Sequence, residues 1–141
     1  MASEPILNST ERAHQLFENH KQSIAVRTSK MFTTLFAIQW VAGILFSLWI
    51  SPLAWAGSNS QIHIHVWSAV LVGGVISSVP IYMGLVYPEK KITHHLIAVG
   101  QLLTSALLIH LSGGRIETHF HIFGSLAFLA FYRDWKVLVP A

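Results

Sequence analysis

MFTTLFAIQWVAGILFSLWI, residues 31–50, carries no charge, and its most polar members are Gln39 and a few hydroxyls. A helix of this length spans the roughly 30 Å hydrocarbon core of a bilayer at about 1.5 Å per residue. The composition agrees: of 141 residues 52% are hydrophobic and 11% charged, where soluble domains carry roughly 25% charged residues. Further apolar runs extend from Val66 to Val86, from Leu96 to Leu111 and from Phe120 to Tyr132. Gly73, Gly74, two serines and Pro80 interrupt the second, all tolerated in packed membrane helices. The fourth is short. It needs Ile116 to His119, and Trp135, to cross, and a re-entrant or buried helix is its alternative reading.

These runs predict an all-α integral membrane helical bundle of four transmembrane helices. A signal peptide is not expected, because the first apolar run follows a 30-residue polar lead. Arg12, Lys21, Arg27 and Lys30 precede the first span, Lys90 and Lys91 join the second to the third, and Arg133 and Lys136 follow the fourth. Arg115 alone falls on the other side. The positive-inside rule therefore places the N-terminus in the cytoplasm. Trp49, Trp55, Trp67, Tyr87 and Trp135 suit interfacial belts, with packing aromatics as the alternative.

Ala13, Leu16, Phe17, His20 and Ile24 fall at helical spacing, which predicts an amphipathic cytoplasmic helix over residues 1–30 or a plain solvated lead-in. Residues 31–136 form the expected four-span domain. Residues 137–141 return to apolar character and read as the start of a fifth span, the chain being truncated before it. Gly113 and Gly114 read as a turn ending the third helix, and Gly73, Gly74 and Ser77 as a small-residue face for close helix approach.

Nine histidines outnumber the six acidic residues, and there is no cysteine. His63 and His65 open the second span, His110 closes the third, and His119 and His121 open the fourth, so three helices bring imidazoles to one outer level. Neutral imidazole is a common metal ligand. Glu117 and His121 stand four apart on one helical face, whereas the members of each His-x-His pair lie about 200° apart on a regular helix. The candidate ligand set is therefore His110, Glu117, His119 and His121 for a metal, with His63 and His65 joining them around a cofactor. Copper, zinc or haem b are the groups this chemistry suggests. Interfacial histidines bonded to loop carbonyls are the competing reading. His94 and His95 lie at the inner end of the third span and read as headgroup-level residues. The chain contains no Gly-rich phosphate loop, no Gly-x-Ser-x-Gly elbow and no paired carboxylates. Its formal charge of +3, with the basic residues dispersed, argues against nucleic acid as a partner.

The segment from His110 to Trp135, with its Gly-Arg-Ile-Glu-x-His-Phe and Tyr-x-Asp-Trp elements, resembles the His-rich multi-span input domain found ahead of bacterial sensor histidine kinases, chemoreceptors and diguanylate cyclases. The SPLAW, HIHVW and HLIAVGQLLTSALLIHL segments are similar to its sensor-kinase branch. The resemblance implies a shared role for His110, Glu117, His119 and Asp134, further spans after Trp135, and cytoplasmic output domains. The expected function is a membrane sensory input module whose outer His/Glu cluster binds a metal ion, haem or small redox ligand. Its expected partners are the lipid bilayer, a second copy in a homodimer and the signalling output domains. A metal- or haem-dependent membrane oxidoreductase is the first alternative, although histidine boxes favour His-x-x-x-His or His-x-x-His-His repeats on the cytoplasmic side. A structural or transport bundle is the second, and it predicts polar groups at mid-membrane, where only Gln39 and Gln101 qualify.

Overall fold

The computed structural model describes residues 4–50, 53–56, 59–62 and 64–140, with side chains over 8–49 and 64–140. The apolar run at 31–50 lies in α1, which extends unbroken from Glu4 to Ile50. Its 47 residues reach about 70 Å at 1.5 Å per residue, far more than a bilayer crossing. An antiparallel hairpin of β1 (Leu53–Ala56) and β2 (Asn59–Ile62), with Leu53 opposite Ile62, follows it and is the departure from purely helical structure. The chain then enters α2 (Ile64–Trp67), passes through a π-helical turn at Ser68–Val72, and continues as α3 (Gly73–Val86). A four-residue turn leads to α4 (Lys91–Leu111), and a second turn leads to α5 (Ile116–Leu129). Short 3₁₀ turns at Ala130–Tyr132 and Trp135–Val137 close the described chain.

Three stretches, within α1, from Ile64 to Val86, and α4, are long and apolar enough to cross a membrane. α5 has 14 residues, about 21 Å, so the shortness of the fourth apolar run persists in the fold. Burial supports lipid as the solvent. Leu45, Val75, Leu85, Phe120 and Phe123 are all more than 60% exposed, while Ser29, Ser47, Thr93, Gln101, Ser105 and Ser125 are at most 2% exposed. Interfaces rich in small and hydroxyl residues with apolar side chains facing outward are the pattern of membrane helix packing.

Close approach depends on glycine at two levels. A Cβ on Gly100 of α4 would lie 2.7 Å from Pro80 Cγ and 3.1 Å from Phe36 Cζ, so α1, α3 and α4 meet there. Gly73 and Gly74 do face a neighbouring helix, with the Trp40 indole 3.1 and 3.3 Å from where their Cβ atoms would be. The turn at Gly113 and Gly114 ends α4 as the sequence predicts, with φ of +69° and +79° and the Gly114 N–H donating to the Ile109 carbonyl at 2.9 Å.

At the opposite end, Phe32, Phe36, Ile97, Ala98, Leu129, Tyr132 and Val137 form the buried apolar core. Val137, read from sequence as opening a fifth span, packs into this core from a 3₁₀ turn. α1 runs unbroken through residue 30, where the N-terminal segment is expected to give way to the first span. Residues 8–23 of α1 are exposed, and Phe17, His20 and Ile24 of the amphipathic face line a cleft with Tyr132 and Arg133. Gln22 donates to Glu89 Oε2 at 2.6 Å, which joins the N-terminal arm to the α3–α4 turn, and the cleft brings the residues after α5 to the same side.

Candidate functional site

Among the described residues, the histidines expected at one outer level do not converge on one point. His65 and His110 meet, with ring centroids 5.2 Å apart in an edge arrangement. His119 is exposed, and its Nδ1 donates to the Arg115 carbonyl one turn back at 3.1 Å. Glu117 is exposed on the same first turn of α5. His121 turns away into the bundle. Among the described residues no three His, Asp or Glu side chains come together as a metal-binding group. His63 lies outside the described residues. Asp134, singled out by resemblance, accepts the Lys136 backbone N–H at 3.1 Å and so starts the last 3₁₀ turn.

The surroundings of His121 form the most developed polar site among the described residues. Its Nδ1 lies 2.8 Å from Ser105 Oγ of α4 and 3.3 Å from Ser125 Oγ, one turn along α5. Its Nε2 lies 3.2 Å from Gln39 Nε2 of α1. Gln101 Nε2 donates to Ser125 Oγ at 3.1 Å. Two amides, two hydroxyls and an imidazole thus connect α1, α4 and α5 inside an apolar bundle, where unpaired polar groups are costly.

One set of proton directions satisfies these bonds. Ser105 Oγ donates to the Gln101 carbonyl at 3.0 Å, and Ser125 Oγ donates to the His121 carbonyl at 2.8 Å. Each hydroxyl has one proton, so both present lone pairs to His121. Nδ1 therefore carries the imidazole proton, and Nε2 accepts from the Gln39 amide. Two acceptors are left over: Gln39 Oε1 and Gln101 Oε1 are buried and have no partner.

Gln39 and His121 border a cavity of about 350 Å³ between α1, α3, α4 and α5. Trp40, Phe46, Leu107 and Leu111 supply much of its apolar wall. Ala69, inside the π-helical turn, and Gly73, just after it, also line the cavity, and such turns recur where helices are reshaped around a function. Thr104 and Thr118 line it too, but their hydroxyls are committed to the carbonyls of Gly100 at 2.9 Å and Arg115 at 2.6 Å.

A second polar layer lies nearer the charged end on the same helices. Ser29 Oγ of α1 lies 3.0 Å from the Pro88 carbonyl and 3.1 Å from the Tyr132 hydroxyl. His94 of α4 reaches the Pro88 carbonyl at 3.2 Å, and its ring lies against Tyr132 at 4.5 Å between centroids. His94 is therefore a buried, packed group within this layer. The sequence reading named neither Ser105 nor Ser125. Their signal was available, since Gln101 and Ser105, and His121 and Ser125, each stand four apart on one helical face.

No known protein family, curated protein or solved structure matches this chain.

Proposed function

We propose that the protein is a sensory input module of a bacterial inner membrane, with its N-terminus in the cytoplasm. The observation that carries this reading is the buried Gln39–His121–Ser105–Ser125–Gln101 network beside the cavity, tied to three helices at once. Each of those helices enters the second layer at Ser29, His94 or Tyr132, ten or eleven residues away on α1 and α4, about 15 Å along the axis. A rearrangement at His121 displaces α1, α4 and α5 together, and α1 carries the displacement past the bundle in its exposed arm. α5 with its following 3₁₀ turn reaches about 27 Å, close to the roughly 30 Å core, and with it as a fourth crossing eight of the nine Lys and Arg residues lie on the arm's side.

Spin labels at Glu11→Cys and Lys91→Cys in lipid nanodiscs test the coupling. His121→Leu and Gln39→Leu are expected to shift or broaden the interlabel distance distribution, and His119→Ala to leave it unchanged. Identical distributions in all four proteins would overturn the sensory reading.

The contact of His65 with His110 favours a second reading, an outer transition-metal site built on that pair. Zinc and copper titration followed by calorimetry checks it. His110→Ala is expected to abolish binding and His94→Ala to spare it, with affinity falling as pH drops through the histidine range near about 6.5.

A further inference from the structure

The cleft at the charged end of the bundle, about 250 Å³, is lined by Phe17, His20, Lys21 and Ile24 of α1 and by Tyr132 and Arg133 after α5. It shares no residue with the cavity beside His121. Three of its side chains end in nitrogen donors: the Lys21 ammonium, the Arg133 guanidinium and the His20 imidazole, which has an N–H in either tautomer. No carboxylate lines the cleft, and neither Lys21 nor Arg133 has an ion pair among the described residues. Of the carboxylates close by, Asp134 accepts the Lys136 backbone N–H, Glu89 accepts from Gln22, and Glu18 is exposed outside the lining. Ser29 Oγ donates to the Pro88 carbonyl, so the Tyr132 hydroxyl proton goes to Ser29. Arg133 adopts φ of 52°, the left-handed region that costs a non-glycine residue energy, and such residues cluster at ligand clamps. Depth adds a further constraint. Tyr132 bonds to Ser29, two residues before the uncharged run that opens at Met31, so the cleft begins where the hydrocarbon core ends and opens outward along the arm.

We propose that this cleft binds a phosphate group, held between the Arg133 guanidinium and the Lys21 ammonium, with the attached carbon skeleton against Phe17 and Ile24. A guanidinium pairs with two phosphate oxygens at once, and an ammonium adds a compact charge. The oxygens of a phosphate point in several directions and so meet donors arriving from two different elements. Two uncompensated cations beside an apolar wall also suit an anion that carries a carbon body. The phosphate belongs either to an anionic lipid headgroup, which the depth of the cleft favours, or to a soluble phosphate compound, and the chemistry at Lys21 and Arg133 is the same. Occupancy ties the N-terminal arm to the end of α5. The inference stands apart from the sensory reading, since it uses neither the His121 network nor the orientation of the protein in the membrane.

The full chain, washed of its native lipid in dodecyl maltoside, is titrated with phosphatidylglycerol, with phosphatidylcholine and with inorganic phosphate at constant ionic strength. Native mass spectrometry counts bound lipid, and protection against thermal unfolding reports binding of either kind. Phosphatidylglycerol is expected to bind about tenfold more tightly than phosphatidylcholine, whose quaternary amine opposes the two cations. Arg133→Gly and Lys21→Gln should each weaken it about fivefold or more. Glycine suits the left-handed backbone at 133, so the loss in that variant is not a loss of fold. Arg133→Lys keeps the charge and should retain part of the affinity. Arg12→Gln removes a cation from the same arm outside the cleft and should change binding less than twofold. A phosphatidylglycerol preference that Arg133→Gly abolishes identifies a lipid headgroup. Inorganic phosphate binding that Arg133→Gly abolishes, without a lipid preference, identifies a soluble ligand. The proposal is overturned if neither phosphate source responds to Arg133→Gly, or if Arg12→Gln costs as much as Lys21→Gln, which would make the attraction a diffuse property of the basic surface.

Discussion

At the scale of single residues, the end of the bundle at which a histidine lies was legible from sequence and its direction was not. His119 and His121 are two residues apart and therefore point about 200° apart around α5, so only one of them can face the bundle. Which one does is set by where Ser105 of α4 offers an acceptor, a tertiary fact absent from the local pattern. The expected pairing of Glu117 with His121 followed from spacing alone and gives way because Glu117 stays exposed on the first turn. Gln39 and Gln101 were visible as isolated amides in apolar runs, but the link between them needed Ser105 and Ser125, which look ordinary in a membrane helix. The assigned proton positions are directly measurable. Nitrogen-15 NMR of labelled protein should show His121 with a protonated Nδ1 and a bare Nε2, and the opposite tautomer would reverse the Gln39 amide. Replacing Tyr132 by Phe removes its bond to Ser29 while keeping the ring stacked on Phe32 at 5.7 Å, and a loss of about 1 kcal/mol of stability is expected in detergent unfolding.

At the scale of elements, the three long apolar helices and the Gly113–Gly114 turn follow from run length and turn chemistry, which are local properties. The unbroken α1 does not, because a spaced set of charges and apolar residues before Met31 suits an in-plane helix and a projecting one equally well. α5 shows the same limit. Its 14 residues gain length from a 3₁₀ turn, and the left-handed Arg133, at φ 52°, then redirects the chain so that Val137 packs on the core. Helix contact makes a sharper claim. Gly100→Ala forces its methyl against the Pro80 ring and the Phe36 edge, and overpacking of this kind costs about 1–3 kcal/mol. Gly124 of α5 has open space where its Cβ would sit, so Gly124→Ala should be neutral or gain up to about 1 kcal/mol from helix propensity. Thermal unfolding of the two variants in one detergent should separate them, and equal melting temperatures would mean that α3 and α4 do not pack as described.

At the scale of the whole molecule, the contact between Gln22 and Glu89 and the layer of Ser29, His94 and Tyr132 place the N-terminal arm, the α3–α4 turn and the residues after α5 at one end. His65, His110 and the α4–α5 turn lie at the other. The fold arrived at this division through packing, while the Lys and Arg placement divides the chain in the same way through charge alone. The two divisions coincide, which supports the proposed topology with the membrane between the ends, in which the orientation of one loop fixes all of them. Cysteine labelling in intact cells and in inverted vesicles reads that orientation. Arg115→Cys should react with an impermeant reagent from outside, and Gln22→Cys and Glu89→Cys only from the cytoplasmic side. If Glu89→Cys reacts from outside while Arg115→Cys does not, the molecule is inverted and its exposed arm projects away from any cytoplasmic partner. If both react from outside, α4 does not cross, the proposed topology is wrong, and the two ends of the α4 segment lie at the same face of the membrane.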